Sequence, residues 1–270
     1  PMNASNASVA NNDIVLTAIN KSYQKGDNTV VVHDNFNLTI KSGEFVALMG
    51  PSGLGKSTLL HLMGGLDQPT KGEVCIGQQR IDNLSQKQLT KWRAENIGFV
   101  FQSHHLLPVL SAQGNVELPL ALTPLNRKQR KQHASMALQL VSMSDRADHF
   151  PKELSGGQEQ RVAIARAIVS DPKILLCDEP TGNLDRKTAD EILALLAKLN
   201  SDSGKTIVMV THDNKAAEYA TRVIDLESYF PLKNKEPSQS KALSQNISQS
   251  NELSQSKMPT LNEVSIGAGS

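Results

Sequence analysis

Nine consecutive residues, Gly50-Pro-Ser-Gly-Leu-Gly-Lys-Ser-Thr58, have the types and spacing to hold a chain of phosphates. They fit the pattern GxxxxGK followed by Ser or Thr, come straight after the apolar run Phe45–Met49, and lead into a helix-compatible run from Thr58. Gly50, Gly53 and Gly55 let the backbone turn tightly with no Cβ in the way. Successive N–H groups and the N-terminus of the next helix can then point at β- and γ-phosphates. Lys56 adds a point charge there, and Ser57 offers a hydroxyl oxygen to Mg²⁺, a hard cation that takes one or two protein oxygens beside water and phosphate. Pro51, Ser52, Leu54 and Thr58 complete the expected binding loop. At average residue frequencies such a pattern arises by chance in roughly one chain of this length in a hundred, so the strand-loop-helix context favours phosphate binding over an incidental glycine turn.

A site of this kind needs a metal-anchoring carboxylate at the end of a neighbouring strand. Ile174-Leu-Leu-Cys177 supplies four apolar residues and is followed by Asp178 and Glu179. Alone, the run reads equally well as a strand ending in solvated acids before a proline turn. Beside the phosphate loop, Asp178 is placed to hold Mg²⁺ through its water shell, and Glu179 to orient or polarise the water that attacks a γ-phosphate. Cys177, inside the apolar run, reads as a small core residue rather than a redox group, and Cys75 is read the same way.

These groups require a scaffold that brings strand ends together. Phe45–Met49, Ile97–Phe101, Ile174–Cys177 and Thr206–Val210 are short apolar runs of the kind found in sheets covered on both faces. Between the last two, Ile192, Leu195, Leu196 and Leu199 recur at helical spacing and form a stripe for packing on that sheet. Alternating strands and helices predict an α/β fold. Ile14–Ile19, Thr29–Val32 and Phe36–Ile40 alternate like antiparallel strands, while 113–141 reads as mostly helical, broken at Pro119 and Pro124. Residues 1–12 are small and polar, and 231–270 are Ser/Gln/Asn-rich without an aromatic residue, so both are expected to be disordered, leaving 13–230 as the folded domain.

Composition narrows the classes. Across 270 residues, 28 Lys and Arg oppose 27 Asp and Glu, which gives no global basic field of the kind that binds nucleic acid. Two cysteines do not make a disulfide framework, and no apolar run is long enough to span a bilayer, so any membrane contact is expected to come through partner chains.

Leu154-Ser-Gly-Gly-Gln158 followed by Arg161-Val-Ala-Ile-Ala-Arg-Ala-Ile168 narrows the field further. Ser155 is a good helix N-cap, Gly156 and Gly157 allow close backbone approach, and the helix aims its positive end at an anion. The segment resembles the signature motif of ATP-binding cassette (ABC) ATPases, and the resemblance covers about residues 13–226. It implies a P-loop NTPase core with an antiparallel β-subdomain and a helical signature subdomain. It also implies ATP and Mg²⁺ as cofactors, and a head-to-tail dimer in which Ser155, Gly156, Gly157 and Gln158 reach the γ-phosphate held by the second subunit. By the same resemblance, Tyr23 stacks on adenine, Gln102 touches Mg²⁺ and water and senses the membrane partner, Asp185 crosses the dimer, and His212 acts on the γ-phosphate.

The stretches Gly64–Asp67, Phe101–Pro108, Asn115–Pro119 and Pro180–Asp185 are similar to the group of lipoprotein-release and macrolide-export ATPases, and His104-His105 leans towards the first. Departures from the family pattern are Leu54 for a serine, Glu159 where glutamine is frequent, Gly114 where an acid is usual, and no glycine turn near Ser228. The implied function is ATP hydrolysis that drives a separate membrane-spanning permease from the cytoplasmic face of the inner membrane. A soluble ABC ATPase of DNA repair or the ribosome would instead show tandem cassettes, sustained heptads or basic extensions. A phosphate-loop kinase would lack the Leu-Ser-Gly-Gly-Gln segment.

Overall fold

A computed structural model describes residues 12–229; the expectations for 1–11 and 231–270 lie outside the described residues. In chain order the elements are β1 (Ile14–Lys25), β2 (Asn28–Ile40), β3 (Phe45–Met49), α1 (Lys56–Met63), β4 (Lys71–Ile76), β5 (Gln79–Arg80), α2 (Gln86–Asn96), β6 (Ile97–Phe101), α3 (Ala112–Glu117), α4 (Arg127–Leu140), α5 (Gly156–Ile168), β7 (Ile174–Asp178), α6 (Arg186–Ser203), β8 (Thr206–Val210), α7 (Asn214–Ala217) and β9 (Arg222–Asp225).

Five strands form a parallel sheet in the order β6-β7-β8-β3-β9. Its central members are buried on both faces, which is why they read as unbroken apolar runs: Phe45 to Leu48, Ile174 to Cys177 and Thr206 to Val210 are all closed off from solvent. Helix α1 packs on β7 and β8, and α6 packs on β8. The stripe of α6 that faces inward is Ala189, Ile192, Leu193, Leu196 and Leu199; Leu195, expected there, is only partly buried, and Leu193 takes its place because 3.6 residues per turn moves the buried arc to one side.

The second sheet is antiparallel, in the order β2-β1-β4-β5. Thr29–Val32 and Phe36–Ile40 are parts of one strand, β2, with register shifts along its pairing with β1 and Asn35 in a left-handed conformation, φ 50°. Strands β4 and β9 were not foreseen, since each buries too few apolar residues to show a period: Val74 and Ile76 in one, Ile224 in the other. Cys177 is fully buried, but Cys75, on β4, is only half-buried and so is not the core residue expected. The stretch 113–141 resolves into α3, a 3-10 turn at Leu118–Leu122 that takes in Pro119, and α4. No glycine is needed after β9: Leu226–Ser228 is a 3-10 turn in which Ser228 Oγ donates to Asp225 O at 2.7 Å.

Helices α3, α4 and α5 pack on one another, and α5 joins this group to the parallel sheet through β6. The join is close. A Cβ on Gly98 of β6 would lie 2.3 Å from Ala167 O of α5 and 2.7 Å from Leu175 Cδ2. Gly98→Ala is therefore expected to lower stability by about 1–3 kcal/mol, the usual range for overpacking, since one obstacle is backbone that cannot rotate away. A thermal melt unchanged from the parent would refute this account of the α5–β6 contact.

Candidate functional site

The register of the parallel sheet puts its chemistry on one edge. Phe101 pairs with Asp178, Asp178 with Val210, and Val210 with Leu48, so four strands end in a row. Gln102, Glu179, His212 and the loop at Gly50 all leave from that row, at the carboxyl ends where open α/β sheets bind ligands.

Within the loop, Gly50, Gly53 and Gly55 hold φ of 141°, 89° and 77°, a region other residues rarely enter. Among the described residues, each α-helix from α2 to α7 has a side-chain N-cap: Ser85, Ser111, Asn126, Ser155, Asp185 and Asp213. Helix α1 is capped by Gly55 and has no side-chain cap bond. Its first N–H groups are left to an external acceptor, and an anion is the acceptor that a helix N-terminus favours.

Lys56 is buried, and its Nζ donates to Gly50 O at 2.6 Å and Pro51 O at 2.8 Å, which holds the ammonium under the loop. Ser57 Oγ donates to Asp178 Oδ1 at 3.1 Å, so the two oxygens expected for Mg²⁺ meet across the width of β8. No group of three metal-ligating side chains exists among the described residues, and this sparse, all-oxygen donor set fits a cation that draws its other ligands from phosphate and water.

Glu179 follows β7 in a left-handed conformation, φ 46°, with its N–H donating to Val210 O at 3.0 Å. Strain of about 1–3 kcal/mol at such a residue is tolerated where surroundings impose it. The turn aims Glu179 at His212, whose Nδ1 is 3.1 Å from Glu179 Oε1. Gln102 lies on the same side, with Nε2 donating to Asn183 Oδ1 at 3.2 Å. A cavity of ≈ 370 Å³ lies over the loop, lined by Val32, Ser52, Gly53, Lys56 to Thr58 and Glu179. A second of ≈ 660 Å³ adjoins it from Glu179 and His212 to Lys215.

The structure does not bring the signature residues into this group. Ser155 and Gly156 are exposed and line neither cavity. Ser155 caps α5: its Oγ accepts from Gln158 N at 3.3 Å while Gln158 Oε1 accepts from Ser155 N at 2.9 Å. Gly157 has no room for a side chain because Thr188 Cγ2 would lie 2.3 Å from its Cβ. Asp185, also exposed, caps α6 by accepting from Thr188 N at 3.1 Å, and these hydrogen bonds to Thr188 hold its carboxyl below the usual range. The Tyr23 ring is exposed and lines neither cavity, and its hydroxyl donates to Asp67 Oδ2 at 2.6 Å. Asp67 also accepts from Lys21 Nζ at 2.7 Å, and that ammonium stands 4.6 Å over the Tyr23 ring.

Sequence reasoning missed three residues that shape the site. Asp67 is one. Asn115 is another: fully buried, it accepts from Leu107 N and donates to the carbonyls of Leu107, Leu110 and Ser111, fixing the loop after β6. The third is His33 on β2, wholly buried beneath the loop, with Nε2 3.1 Å from Gly55 O. A carbonyl only accepts, so Nε2 carries the proton. Asn115 stood in a quoted motif without a role, and His33 showed no local signal at all.

Burial holds the His33 imidazole below its ordinary value, so the folded chain resists the proton that the unfolded chain accepts. Stability from the neutral ring is complete above about pH 6.5 and is lost as pH falls through that value towards the lowered native one. His33→Leu is expected to flatten the fall in Tm between about pH 7.5 and about pH 5.5. Parallel curves for parent and variant would remove His33 as the source of acid sensitivity.

Comparisons with known proteins agree with this geometry. A family model described as ABC transporter matches residues 33–182. The dimeric post-hydrolysis structure of the cassette MJ0796 of Methanocaldococcus jannaschii, bound to ADP and Pi, superposes with a TM-score of 0.74 at 46% identity, covering 78% of this chain and 93% of that one. The lipoprotein-releasing system ATP-binding protein LolD of Acinetobacter baylyi is 48% identical over 217 residues, 79% of this chain and 95% of its own. The macrolide export ATP-binding/permease protein MacB of Escherichia coli is 48% identical over 213 residues, 79% of this chain but 33% of that protein.

Proposed function

We propose that this chain, which belongs to the ABC transporter family and is an ATPase of the ABC type, pairs head to tail with a second copy around two Mg-ATP and drives a separate membrane-spanning permease for lipoprotein release or export. The observation that carries the reading is the N-terminus of α1 behind the glycine loop, which has no side-chain cap and whose Ser57 meets Asp178 at the end of β7. In this reading the residues Gly50–Thr58 cradle the phosphates, and Tyr23 stacks on adenine. Ser57, Asp178 and Gln102 hold Mg²⁺, which neutralises phosphate charge when bound. Glu179 takes the proton of the attacking water or orients it, while His212, hydrogen-bonded to Glu179, holds that carboxylate in line and faces the γ-phosphate.

The exposed signature turn supports a site shared between copies, because it is open to solvent and lines neither of the chain's own cavities. Asp185, exposed beside it, would cross the same interface. Support for a membrane partner comes from solvent-facing apolar residues after Gln102, namely Leu107, Val109, Leu118 and Leu122. In this reading, which rests on the likeness to LolD, the translocation path belongs to the permease and the working place is the cytoplasmic face of the inner membrane; no helix among the described residues is long and apolar enough to cross a membrane. Lipoprotein release and drug export share this half of the machine. Identifying the membrane protein that co-purifies from detergent extracts distinguishes them.

Glu179→Gln is expected to keep ATP affinity and lower turnover by roughly 10²–10⁴-fold, trapping an ATP-bound dimer. Near-normal hydrolysis by that variant would sink the assignment. Ser155→Arg tests the shared site: ATP binding through the intact loop should persist while hydrolysis is abolished. Normal turnover by Ser155→Arg, under conditions where the parent is active, would exclude the signature from the site.

A further inference from the structure

Immediately after Gln102 the chain makes a tight strap. Ser103 O accepts the N–H of His105, and His104 and His105 hold φ of 42° and 50°. Two successive non-glycine residues in left-handed geometry persist only when something outside the turn holds them. That support is the signature helix α5. Arg166 gives both arms of its guanidinium to the strap, Nη2 to His104 O and Nη1 to His105 O, each at 2.6 Å. Two helical turns nearer the signature, Glu159 Oε2 lies 2.9 Å from His104 Nδ1. Arg166 is half-buried, and its guanidinium stays charged at any ordinary pH, so the two strap carbonyls each accept a charge-assisted hydrogen bond.

The same helix grips the other side of Gln102. Its buried Gln160 donates from Nε2 to Pro180 O at 2.6 Å, and the Pro180–Asn183 turn is where the Gln102 amide rests, on Asn183 Oδ1. That rest is close-fitting, since a Cβ on Gly182 would lie 2.7 Å from Gln102 Nε2. The far end of the loop is fixed independently by Asn115. The backbone that follows Gln102 and the turn that receives its side chain are thus both tied to α5, whose first turn is the signature. Glu159 is also one of the chain's departures, standing where glutamine is frequent, and a carboxylate makes the stronger bond to an imidazole N–H.

We propose that Glu159 and Arg166 are positioning residues that lash Ser103–His105 to the signature helix, so that Gln102 reaches the catalytic turn at a set angle. The inference rests on the reading of Gln102 as a site residue given above. Neither residue touches nucleotide in this account. Both act through Gln102, and misplacing one group by about 1 Å can cost up to about 10²-fold in rate.

Steady-state ATP hydrolysis by the full chain tests it. Glu159→Ala should lower kcat about tenfold with KM within about twofold, and Glu159→Gln, which keeps an acceptor for His104, should restore most of the rate. Arg166→Lys should be slow as well, because a lysine cannot span two carbonyls in a fixed fork. His104→Ala combined with Glu159→Ala should be no worse than either alone, as both remove one interaction. Glu159→Ala and Arg166→Lys with parental kcat, or an additive double variant, would overturn the proposal. Gln102→Ala separates the two layers. If it is slow while the strap variants are normal, only the strap fails; if it hydrolyses ATP at the parental rate, the reading of Gln102 fails and the strap with it.

Discussion

Parallel strand pairing aligns Leu48, Val210, Asp178 and Phe101 in one row, and every group in the site hangs from that alignment. Ser57 and Asp178 belong to segments separated by a whole strand, yet their oxygens meet at 3.1 Å because β3 and β7 flank β8 and end level with each other. A slip of one residue in any of these pairings would turn each strand's side chains to the opposite face and move the two oxygens apart. The burial of β3, β7 and β8 on both faces resists such a slip, since it would draw polar neighbours into the core. The core and the chemistry are for that reason one construction: the apolar runs set the register, and the register sets the site.

Several conformations that ordinary residues avoid lie along this edge. Glycine supplies three of them in the phosphate loop at no steric cost. Glu179, His104 and His105 adopt left-handed geometry without that exemption, and each is held by contacts from another element: Glu179 by Val210 O, the two histidines by Arg166 and Glu159. The turn after β7 and the strap after β6 thereby become rigid supports for Glu179 and Gln102. Helix α5 connects them, as it contacts the strap through Arg166, the β7 turn through Gln160, and β6 through a gap that only Gly98 can fill.

The glycine loop, the Asp178-Glu179 pair and the signature segment were legible in the sequence because each is local, with its chemistry written in adjacent residues. The four buried strands were legible for the same reason, as continuous apolar runs. Strands β4 and β9 were not, because their place in the sheets depends on partners far along the chain and their own burial is slight. The α6 stripe was right in period but off by one position at Leu195, since the exact arc is chosen by what the helix packs on.

Residue type, spacing and periodicity were enough for the class of fold, the glycine loop and the acidic pair Asp178-Glu179 that closes an apolar run. Packing in three dimensions governs how distant groups meet. It placed His33 beneath Gly55, Asp67 and Lys21 around Tyr23, Asn115 inside the loop after β6, and α5 across Gln102. It also left the signature turn exposed and outside the chain's own cavities, which no local pattern states. The difference is one of range: propensity and hydrophobic period act over a few residues, whereas a hydrogen bond between groups 61 residues apart, such as Arg166 to His105, exists only once the sheet has brought their elements together.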